Sequence, residues 1–189
     1  MTQPLPTQTD NAMPSLPRYA ALVPDPDAAA HLLVGQGKAL DAFDAFTSLP
    51  PHVPVTLLVQ TEAQPDDHPS AQCFPSIDAL AGRLRESLAQ TAIGVRLYLA
   101  GDEAFIWRMR HLAAEFGMEP DEIQASLTSG RRNIYCVHCS TVDSYDILDE
   151  VNCTHCGLRL GVRQHFSQRL GGYLGVCANA ASPYGEVQA

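Results

Sequence analysis

Two pairs of cysteines constrain the fold of this chain more than any other feature of its sequence. Cys136 and Cys139 form one C-x-x-C pair, Cys153 and Cys156 form a second, and 13 residues separate the two pairs. A C-x-x-C turn can bind a metal ion from one side, and two such turns supply the four thiolates of a tetrahedral site. The spacing therefore predicts that the last third of the chain folds around a metal ion.

The residues around the two pairs are typical of a small β zinc-ribbon domain, which is also described as rubredoxin-like. Gly157 follows the second pair and can adopt the positive φ that lets backbone N–H groups face a thiolate. Residues 140–151 are long enough for a hairpin between the pairs, and residues 158–160 then alternate like a returning strand. Four thiolates suit Zn²⁺ at about 2.3 Å and can also hold one iron ion, so both metals stay open. His138 and His155 lie inside the pairs, and we expect them to be spacers or outer hydrogen-bond donors.

Composition limits the partners that the chain can have. The chain has 189 residues, of which 46% are hydrophobic, and its formal charge is -9. Such a chain lacks the excess of Lys and Arg that binding to a phosphate backbone requires, which argues against nucleic acid. No apolar run approaches the roughly 20 residues that cross a bilayer, and the N-terminus shows no secretory pattern. We therefore expect a cytoplasmic protein whose reduced cysteines bind metal, with no membrane partner.

Strand and helix patterns alternate in the first two thirds of the chain. Apolar and β-branched runs indicate strands, and apolar stripes at helical spacing indicate helices between them. Strands are predicted over 31–34, 53–59, 95–100 and 123–127, and a polar loop is predicted over 60–75. Helical stripes contain Leu40, Phe43 and Phe46; Ile77, Leu80, Leu84 and Leu88; and Phe105, Met109, Leu112 and Phe116. Ser76 can cap the second of these helices, Asp102 and Glu103 favour the start of the third by their charge, and Gly117 is a suitable stop at its end. This alternation favours a parallel α/β sheet with helices on both faces.

Glycines follow two of the predicted strands. Gly35 and Gly37 follow the first strand, and Gly101 follows the strand that ends at residue 100. Open α/β sheets bind ligands at the carboxyl ends of their strands, where glycine lets a phosphate approach the backbone and a helix N-terminus. The three glycines are therefore candidate NADPH-binding residues. A tight turn from strand to helix also requires glycine, so a purely structural role stays open.

The α/β part resembles the pyridine-nucleotide domain of ferredoxin reductases. The resemblance rests on VRLYLAGDEAFIWRMRHLAAEFGMEPDEIQ and on the earlier DPDAAAHLLVGQGKALDAFDAFTSLPPHVPVTLLVQ, which is similar to siderophore-interacting reductases. It covers residues 20 to 128 and implies a nucleotide-domain-like fold. Lys38 and Asp41 depart from the threonine and proline that are common there, and the chain has no preceding flavin barrel.

The C-terminal third resembles the dimethylamine monooxygenase small subunit (DmmA-like) family. Its motifs are, in order, Y-C-x-x-C, C-x-x-C-G and V-R-x-H-F-S-x-R-L-x-x-Y-x-G-V, over residues 134 to 180. The resemblance implies a subunit of a multicomponent, NADPH-dependent, haem-containing monooxygenase that demethylates secondary amines such as dimethylamine oxidatively. It also implies that haem, FMN and a 2Fe–2S cluster belong to partner chains, namely a haem subunit and a flavin and iron–sulfur reductase subunit.

These patterns divide the chain into four segments. We expect a flexible tail over 1–17, a reductase-like α/β domain over 18–129, a zinc-ribbon domain with a C-terminal strap over 130–180, and a tail over 181–189. The strap contains His165 and Arg169, and it either packs on the ribbon or presents a docking surface for a partner or an anionic group. We expect Cys177 to be a small buried hydrophobe and Cys73 to lie in a loop.

The chain is thus interpreted as an accessory, electron-path subunit that is not catalytic on its own. Two other functions stay open. Iron at the four cysteines would make the chain a rubredoxin-like electron carrier, and NADPH at the three glycines would make it a stand-alone NAD(P)-binding module.

Overall fold

The computed structural model describes residues 16–37, 39–62, 68, 70–90, 93–128 and 130–179. These residues fall into two units. The α/β unit consists of Arg18–Asn133 with Ser144–Ile147, and the ribbon unit consists of Ile134–Asp143 and the described part of Leu148–Ala189. The predicted tails over 1–17 and 181–189 lie outside the described residues, apart from residues 16 and 17.

A five-stranded parallel sheet forms the centre of the α/β unit. Its strands are β1 (Ala30–Gln36), β2 (Val55–Gln60), β3 (Gln72–Phe74), β4 (Val95–Gly101) and β5 (Ile123–Leu127). Two α-helices, α1 (Ile77–Ala89) and α2 (Glu103–Glu115), connect the later strands. The strand order is β3-β2-β1-β4-β5, so the winding reverses between β1 and β4. The parallel α/β fold predicted from the sequence is confirmed.

Both faces of this sheet are covered. Successive side chains of a strand point to opposite faces, so neighbouring residues of β1 enter different cores. Leu32 and Val34 pack in the core that α1 and α2 cover. Leu33 packs in a second core with Phe43 and Phe46, which belong to a 3₁₀ helix (Ala39–Phe46). The predicted covering of both faces is therefore confirmed, with the 3₁₀ helix on one side and the α-helices on the other.

The starts of both α-helices are fixed by side-chain caps. The Ser76 side chain accepts a hydrogen bond from the Ala79 N–H at α1, and the Asp102 side chain accepts one from the Phe105 N–H at α2. A cap of this kind stabilises a helix by typically about 1 kcal/mol. Gly117, with a φ of 81°, follows the end of α2. The sequence predicted each of these boundaries.

Two details of the α/β unit differ from the sequence prediction. Strand β3 lies inside the segment predicted as a loop, and it contains Cys73. Its three residues are too few to show an alternating pattern, so sequence periodicity could not find it. Phe116 lies at the cap position of α2 and is 40% exposed, whereas its spacing had placed it in the buried stripe.

The ribbon unit contains most of a second five-stranded sheet. Its strands are β6 (Arg131–Cys136), β7 (Val142–Asp146), β8 (Glu150–Asn152), β9 (Arg159–Ser167) and β10 (Gly172–Cys177), in the order β7-β6-β10-β9-β8. Strand β10 runs parallel to β6 and antiparallel to β9, and β8 runs antiparallel to β9. The boundary between the two units falls within β6 and β7. A small β unit around the cysteines therefore follows the α/β unit, as predicted.

The topology of this sheet corrects two expectations. Residues 140–151 do not form one hairpin, because β7 and β8 lie at opposite edges of the sheet. The predicted strap is the β9–β10 hairpin, and β10 lies in the middle of the sheet instead of packing on top of it. A Cβ on Gly175 would lie 2.8 Å from the Ile134 Cγ2, so the glycine allows β10 to fit there. Cys177, at the end of β10, is half-buried.

None of the helices in the described ranges has the length and apolar character needed to cross a membrane.

Candidate metal centre

The two cysteine pairs lie in two turns of the same construction. In the first turn the Ser140 N–H donates to the Cys136 carbonyl at 2.8 Å, and in the second the Gly157 N–H donates to the Cys153 carbonyl at 2.9 Å. Ser140 and Gly157 both follow a cysteine pair and both have a left-handed φ, of 60° and 74°. The sequence indicated this conformation at Gly157 only, because serine rarely adopts it.

The structure brings the four sulfur atoms together. The Sγ atoms of Cys136 and Cys156 lie 3.8 Å apart, and those of Cys139 and Cys153 lie 3.6 Å apart. All four sulfur atoms lie within 4.8 Å of one another. Sulfur atoms at about 2.3 Å from a tetrahedral metal ion are separated by about 3.8 Å. The spacing therefore fits a single four-coordinate ion.

The two thiols of the second turn have pKa values that are shifted in opposite directions. Burial opposes ionisation of Cys153, but the backbone N–H groups of Cys156 and His155 lower the pKa of its thiol to about 6. The Leu158 N–H favours the Cys156 thiolate, but burial and the neighbouring sulfur atoms raise the pKa of that thiol to about 12. Four thiolates at this distance repel one another, so a cation is required before all four can ionise.

The pKa values of the two thiols of the first turn are also shifted in opposite directions. Burial raises the pKa of the Cys136 thiol, although the N–H groups of Cys139 and His138 oppose the shift. The Thr141 hydroxyl lies 2.9 Å from the Cys139 Sγ and lowers the pKa of that thiol. Thr141 is a hydrogen-bonding partner of the cluster that the sequence did not reveal, since a single threonine next to a cysteine is not a motif.

The histidines inside the two pairs are exposed, and neither belongs to the group of side chains that converge. Their backbone N–H groups face the sulfur atoms of Cys136 and Cys153 instead. This placement agrees with the expectation that His138 and His155 are spacers or outer hydrogen-bond donors and not part of the four-sulfur set. Four sulfur atoms complete a tetrahedral site, which leaves no coordination position for a substrate.

The three candidate nucleotide-binding glycines lie at the carboxyl ends of β1 and β4, where the strand order reverses. Gly35 is inside β1 and lies opposite Ala100 of β4. Gly37 lies in the next turn with a φ of 56°, and Gly101 ends β4. The structure therefore brings the three residues to one edge of the sheet. Lys38 lies outside the described residues, and Asp41 is exposed on the 3₁₀ helix.

Packing explains two of these glycines without a ligand. A Cβ on Gly35 would lie 2.9 Å from the Phe43 Cε2. A Cβ on Gly101 would lie 2.6 Å from the Phe105 Cδ1 and 3.1 Å from the Gln36 Cβ. All three distances are shorter than ordinary van der Waals contact, so a larger residue at either position would displace its neighbours.

Backbone donors at this edge already have partners within the chain. The Gly37 N–H donates to the Gln60 carbonyl at 2.8 Å. The Asp102 N–H donates to the Gln36 Oε1 at 2.9 Å, and the Phe105 N–H donates to the Asp102 Oδ1 at 2.8 Å. The N-terminus of α2 is the position where a nucleotide phosphate would accept such hydrogen bonds, and here a carboxylate of the chain accepts one.

A buried carboxylate lies one residue further along α2. Glu103 is only 2% exposed, and its two oxygens accept hydrogen bonds from the Tyr19 hydroxyl at 2.9 Å and from the Asn133 N–H at 2.8 Å. Burial raises the pKa of its carboxyl group, although the Asn133 N–H opposes the shift. These bonds join the first and last segments of the α/β unit to α2. The sequence had indicated Glu103 only as a favourable charge at a helix N-terminus.

Two family models match the chain. The model described as dimethylamine monooxygenase subunit DmmA-like, N-terminal domain, matches residues 11–123. The model for the C-terminal domain of the same subunit matches residues 133–176.

Similar proteins include one curated relative and one solved structure. The chain is 43% identical over 175 residues to the heme-dependent oxidative N-demethylase delta subunit of Ectopseudomonas mendocina (strain ymp), which covers 92% of this chain and 94% of the relative. The FAD apo form of the ferredoxin reductase in carbazole 1,9a-dioxygenase aligns with a TM-score of 0.47 and 16% identity. That alignment covers 57% of this chain and 35% of the reductase, so the chain spans about a third of the reductase's length.

Proposed function

The chain belongs to the dimethylamine monooxygenase subunit DmmA-like family, and on that premise we propose that it is an accessory, electron-path subunit of a haem-dependent amine monooxygenase. The complex demethylates dimethylamine or a similar secondary amine oxidatively and takes its electrons from NADPH. The support for this proposal is the 43% identity to a subunit of a heme-dependent oxidative N-demethylase over 92% of the chain.

In this proposal the redox cofactors of turnover belong to partner chains. Haem is carried by one partner, and FMN and a 2Fe–2S cluster are carried by a reductase partner. The chain has six cysteines, four of which converge in the ribbon unit. A 2Fe–2S cluster needs four ligands of its own, and Cys73 and Cys177 cannot supply them. Reduced thiols suit a cytoplasmic complex.

We further propose that Cys136, Cys139, Cys153 and Cys156 bind a structural Zn²⁺ ion. The sulfur spacing of 3.6 and 3.8 Å is the observation that supports this assignment. When bound, the ion neutralises the thiolates and links the two turns, and such sites contribute about 10–16 kcal/mol to the folding of small modules. The residues of this chain then provide a rigid sheet for contact with partner subunits.

Co-expression with its genomic neighbours tests the subunit assignment. We expect the tagged chain to isolate chains that contain haem and flavin, and N-demethylation by the mixture to require this chain. A chain that stays monomeric beside its expressed neighbours, with demethylation unaffected by its omission, contradicts the proposal. Variants of the four clustered cysteines can be compared in the same assay, and Cys73→Ser is their matched control.

An electron carrier with iron at the same four sulfur atoms is the second candidate. Iron accepts the same tetrahedral set of thiolates, and Cys139 and Cys156 are only half-buried, which suits electron exchange at a surface. Elemental analysis and voltammetry separate the two functions. One equivalent of zinc in a colourless protein without a redox wave supports the structural role, whereas iron with a reversible wave supports the carrier.

A further inference from the structure

The β9–β10 hairpin concentrates positive charge in an acidic chain. The sequence contains 21 acidic residues in 189, yet none occurs between Glu150 and Glu186. Arg163, His165 and Arg169 lie on this hairpin, and all three are exposed. The hairpin therefore differs in charge from the rest of a chain whose formal charge is -9.

Two of the three arginines of the hairpin, Arg163 and Arg169, differ from most other arginines in their contacts. Six arginines form ion pairs with carboxylates of the chain: Arg83, Arg85, Arg96, Arg108, Arg131 and Arg159. Arg110 donates to the Ile123 carbonyl and stacks over the Trp107 ring. Within the described ranges, Arg163 and Arg169 form neither an ion pair nor a hydrogen bond through their guanidinium groups. Their charges are thus available to a second molecule.

The backbone beside these arginines forms an open edge. Strand β8 pairs with β9 only at residues 159–161, and the Val162 N–H donates to the Asp149 carbonyl. β9 pairs with β10 at Val162, Phe166 and Ser167, and the register is irregular between Val162 and Phe166, where Arg163 and His165 lie. Among the described residues, β8 has no register pair with β9 beyond Gly161. An edge of this kind can accept an extended segment of another chain through main-chain hydrogen bonds.

We propose that this edge, with Arg163, His165 and Arg169, docks a carboxylate-rich extended segment of a partner subunit. The inference rests on the proposed function, because it assumes that partner subunits exist. Guanidinium groups bind carboxylates through paired hydrogen bonds, so the unpaired arginines select an acidic partner. Two free arginines on a chain of charge -9 are too few for a nucleic acid.

A second role for the arginines has to be separated from docking. Charged side chains on an open edge strand also prevent pairing between copies of the same protein. Docking and protection make different predictions for charge reversal. Loss of docking weakens binding to the partner, whereas loss of protection causes self-association.

The test uses the full chain with its co-expressed partner subunits. Binding of the Arg163→Glu/Arg169→Glu double variant is measured at about 50 and 300 mM salt, with zinc content as the check on folding. We expect binding about tenfold weaker than that of the wild type at low salt, and a smaller dependence on salt. The Arg85→Glu variant removes an exposed arginine that is already paired with Glu115, and we expect binding within about twofold of the wild type.

Unchanged partner binding by the double variant overturns the proposal. Self-association of the variant with unchanged binding per monomer also overturns it and assigns the arginines to edge protection. If the wild-type chain binds neither haem nor flavin subunits at any salt concentration, the proposed function fails together with this inference. If the wild-type complex forms and the double variant binds the partner subunits as tightly as the wild type does, the docking site is wrong but the proposed function is not.

Discussion

At the carboxyl ends of β1 and β4, backbone N–H groups that could face a phosphate donate to groups of the same chain, whereas the four cysteine sulfur atoms of the ribbon unit converge on one point. In the first region, the N–H groups of Gly37, Asp102 and Phe105 donate to Gln60, Gln36 and Asp102, respectively. In the second region, the groups that favour the thiolates are backbone N–H groups and the Thr141 hydroxyl. A small set of neutral donors does not offset four negative charges.

The difference shows which kind of sequence motif is the better indication of a binding site. Glycines at strand ends serve packing and turns as well as ligands, so their presence alone does not decide between these roles. Four thiols at metal-binding distance have no comparable structural role without a cation, because burial and repulsion disfavour their ionisation. The cysteine cluster is thus the region whose stability we expect to depend on a bound metal ion.

The largest effect is expected when the cysteine cluster loses one ligand. The Cys153→Ser variant should lose the metal ion and most of the stability of the ribbon unit, on the order of 10 kcal/mol. The α/β unit should keep its protection against hydrogen exchange, because its two cores do not contain the cysteine cluster. Metal analysis combined with residue-resolved hydrogen exchange measures both effects.

Cys73→Ser provides the control for this experiment. Cys73 lies in β3 of the α/β unit, so the variant should keep a full equivalent of metal. A Cys153→Ser protein that retains stoichiometric metal and a protected ribbon would show that the four sulfur atoms do not form the binding site.

A smaller effect is expected at the sheet edge, where glycine is required for packing. Gly101→Ala places a Cβ 2.6 Å from the Phe105 ring, so we expect a loss of about 1–3 kcal/mol in the free energy of unfolding. Gly82→Ala is the matched control, because nothing lies within 4 Å of a Cβ at this exposed position of α1. Alanine there should stabilise the helix by about 0.5–1 kcal/mol. Equal stability of the Gly101→Ala variant and the wild type, measured in urea, would remove the packing explanation.

The parts of this fold that the sequence predicted are those that depend on local patterns. Periodic apolar residues located β1, β2, β4, β5 and both α-helices, and the spacing of the cysteines identified the cluster that the structure brings together. Ser76 and Asp102 were found as helix starts because a cap acts within three residues of its own position.

The parts that the sequence did not predict depend on contacts between distant residues. Gln36 and Asp102 are 66 residues apart, and nothing in the spacing of the glycines indicates their hydrogen bond. The central position of β10 requires close packing of Gly175 on Ile134, which a glycine-rich sequence does not reveal. Such contacts decide whether a strand end is open to a ligand, so a motif there predicts a location better than a function.

Removal of the α2 cap is expected to have an effect of about 1 kcal/mol. Asp102→Ala leaves the Phe105 N–H without its side-chain acceptor, which should lower the free energy of unfolding by about 0.5–2 kcal/mol. Ser76→Ala removes the equivalent bond at α1 and should cost a similar amount. If Asp102→Ala were neutral while Ser76→Ala destabilised the protein, the stabilising role of the Asp102 cap would be contradicted.

The charge beside that cap should produce a pH-dependent effect. Burial raises the pKa of Glu103 above its ordinary 4.5, so its contribution to stability is fully present below pH 4.5 and declines as pH rises through the raised pKa. Glu103→Gln, which cannot ionise, should therefore gain stability relative to the wild type between pH 4.5 and pH 7. Urea unfolding at several pH values measures this difference, with Glu115→Gln, an exposed carboxylate on α2, as the control. A constant difference across this range would contradict the assignment.

The smallest effect, and the sharpest test of the comparison, is expected when NADPH is added to the isolated chain. Asp102 and Glu103 place two carboxylates at the α2 N-terminus, and a phosphate there would have to displace the Asp102 side chain from the Phe105 N–H. We therefore expect no change in the unfolding midpoint and no shift of the amide signals of Gly37 and Gly101 at about 1 mM NADPH. The Cys153→Ser protein should behave in the same way, because the cysteine cluster takes no part in this region. Saturable shifts at the two glycines, with a Kd below about 1 mM, would restore the nucleotide-binding function and would mean that the Gln36 and Asp102 side chains yield to a phosphate.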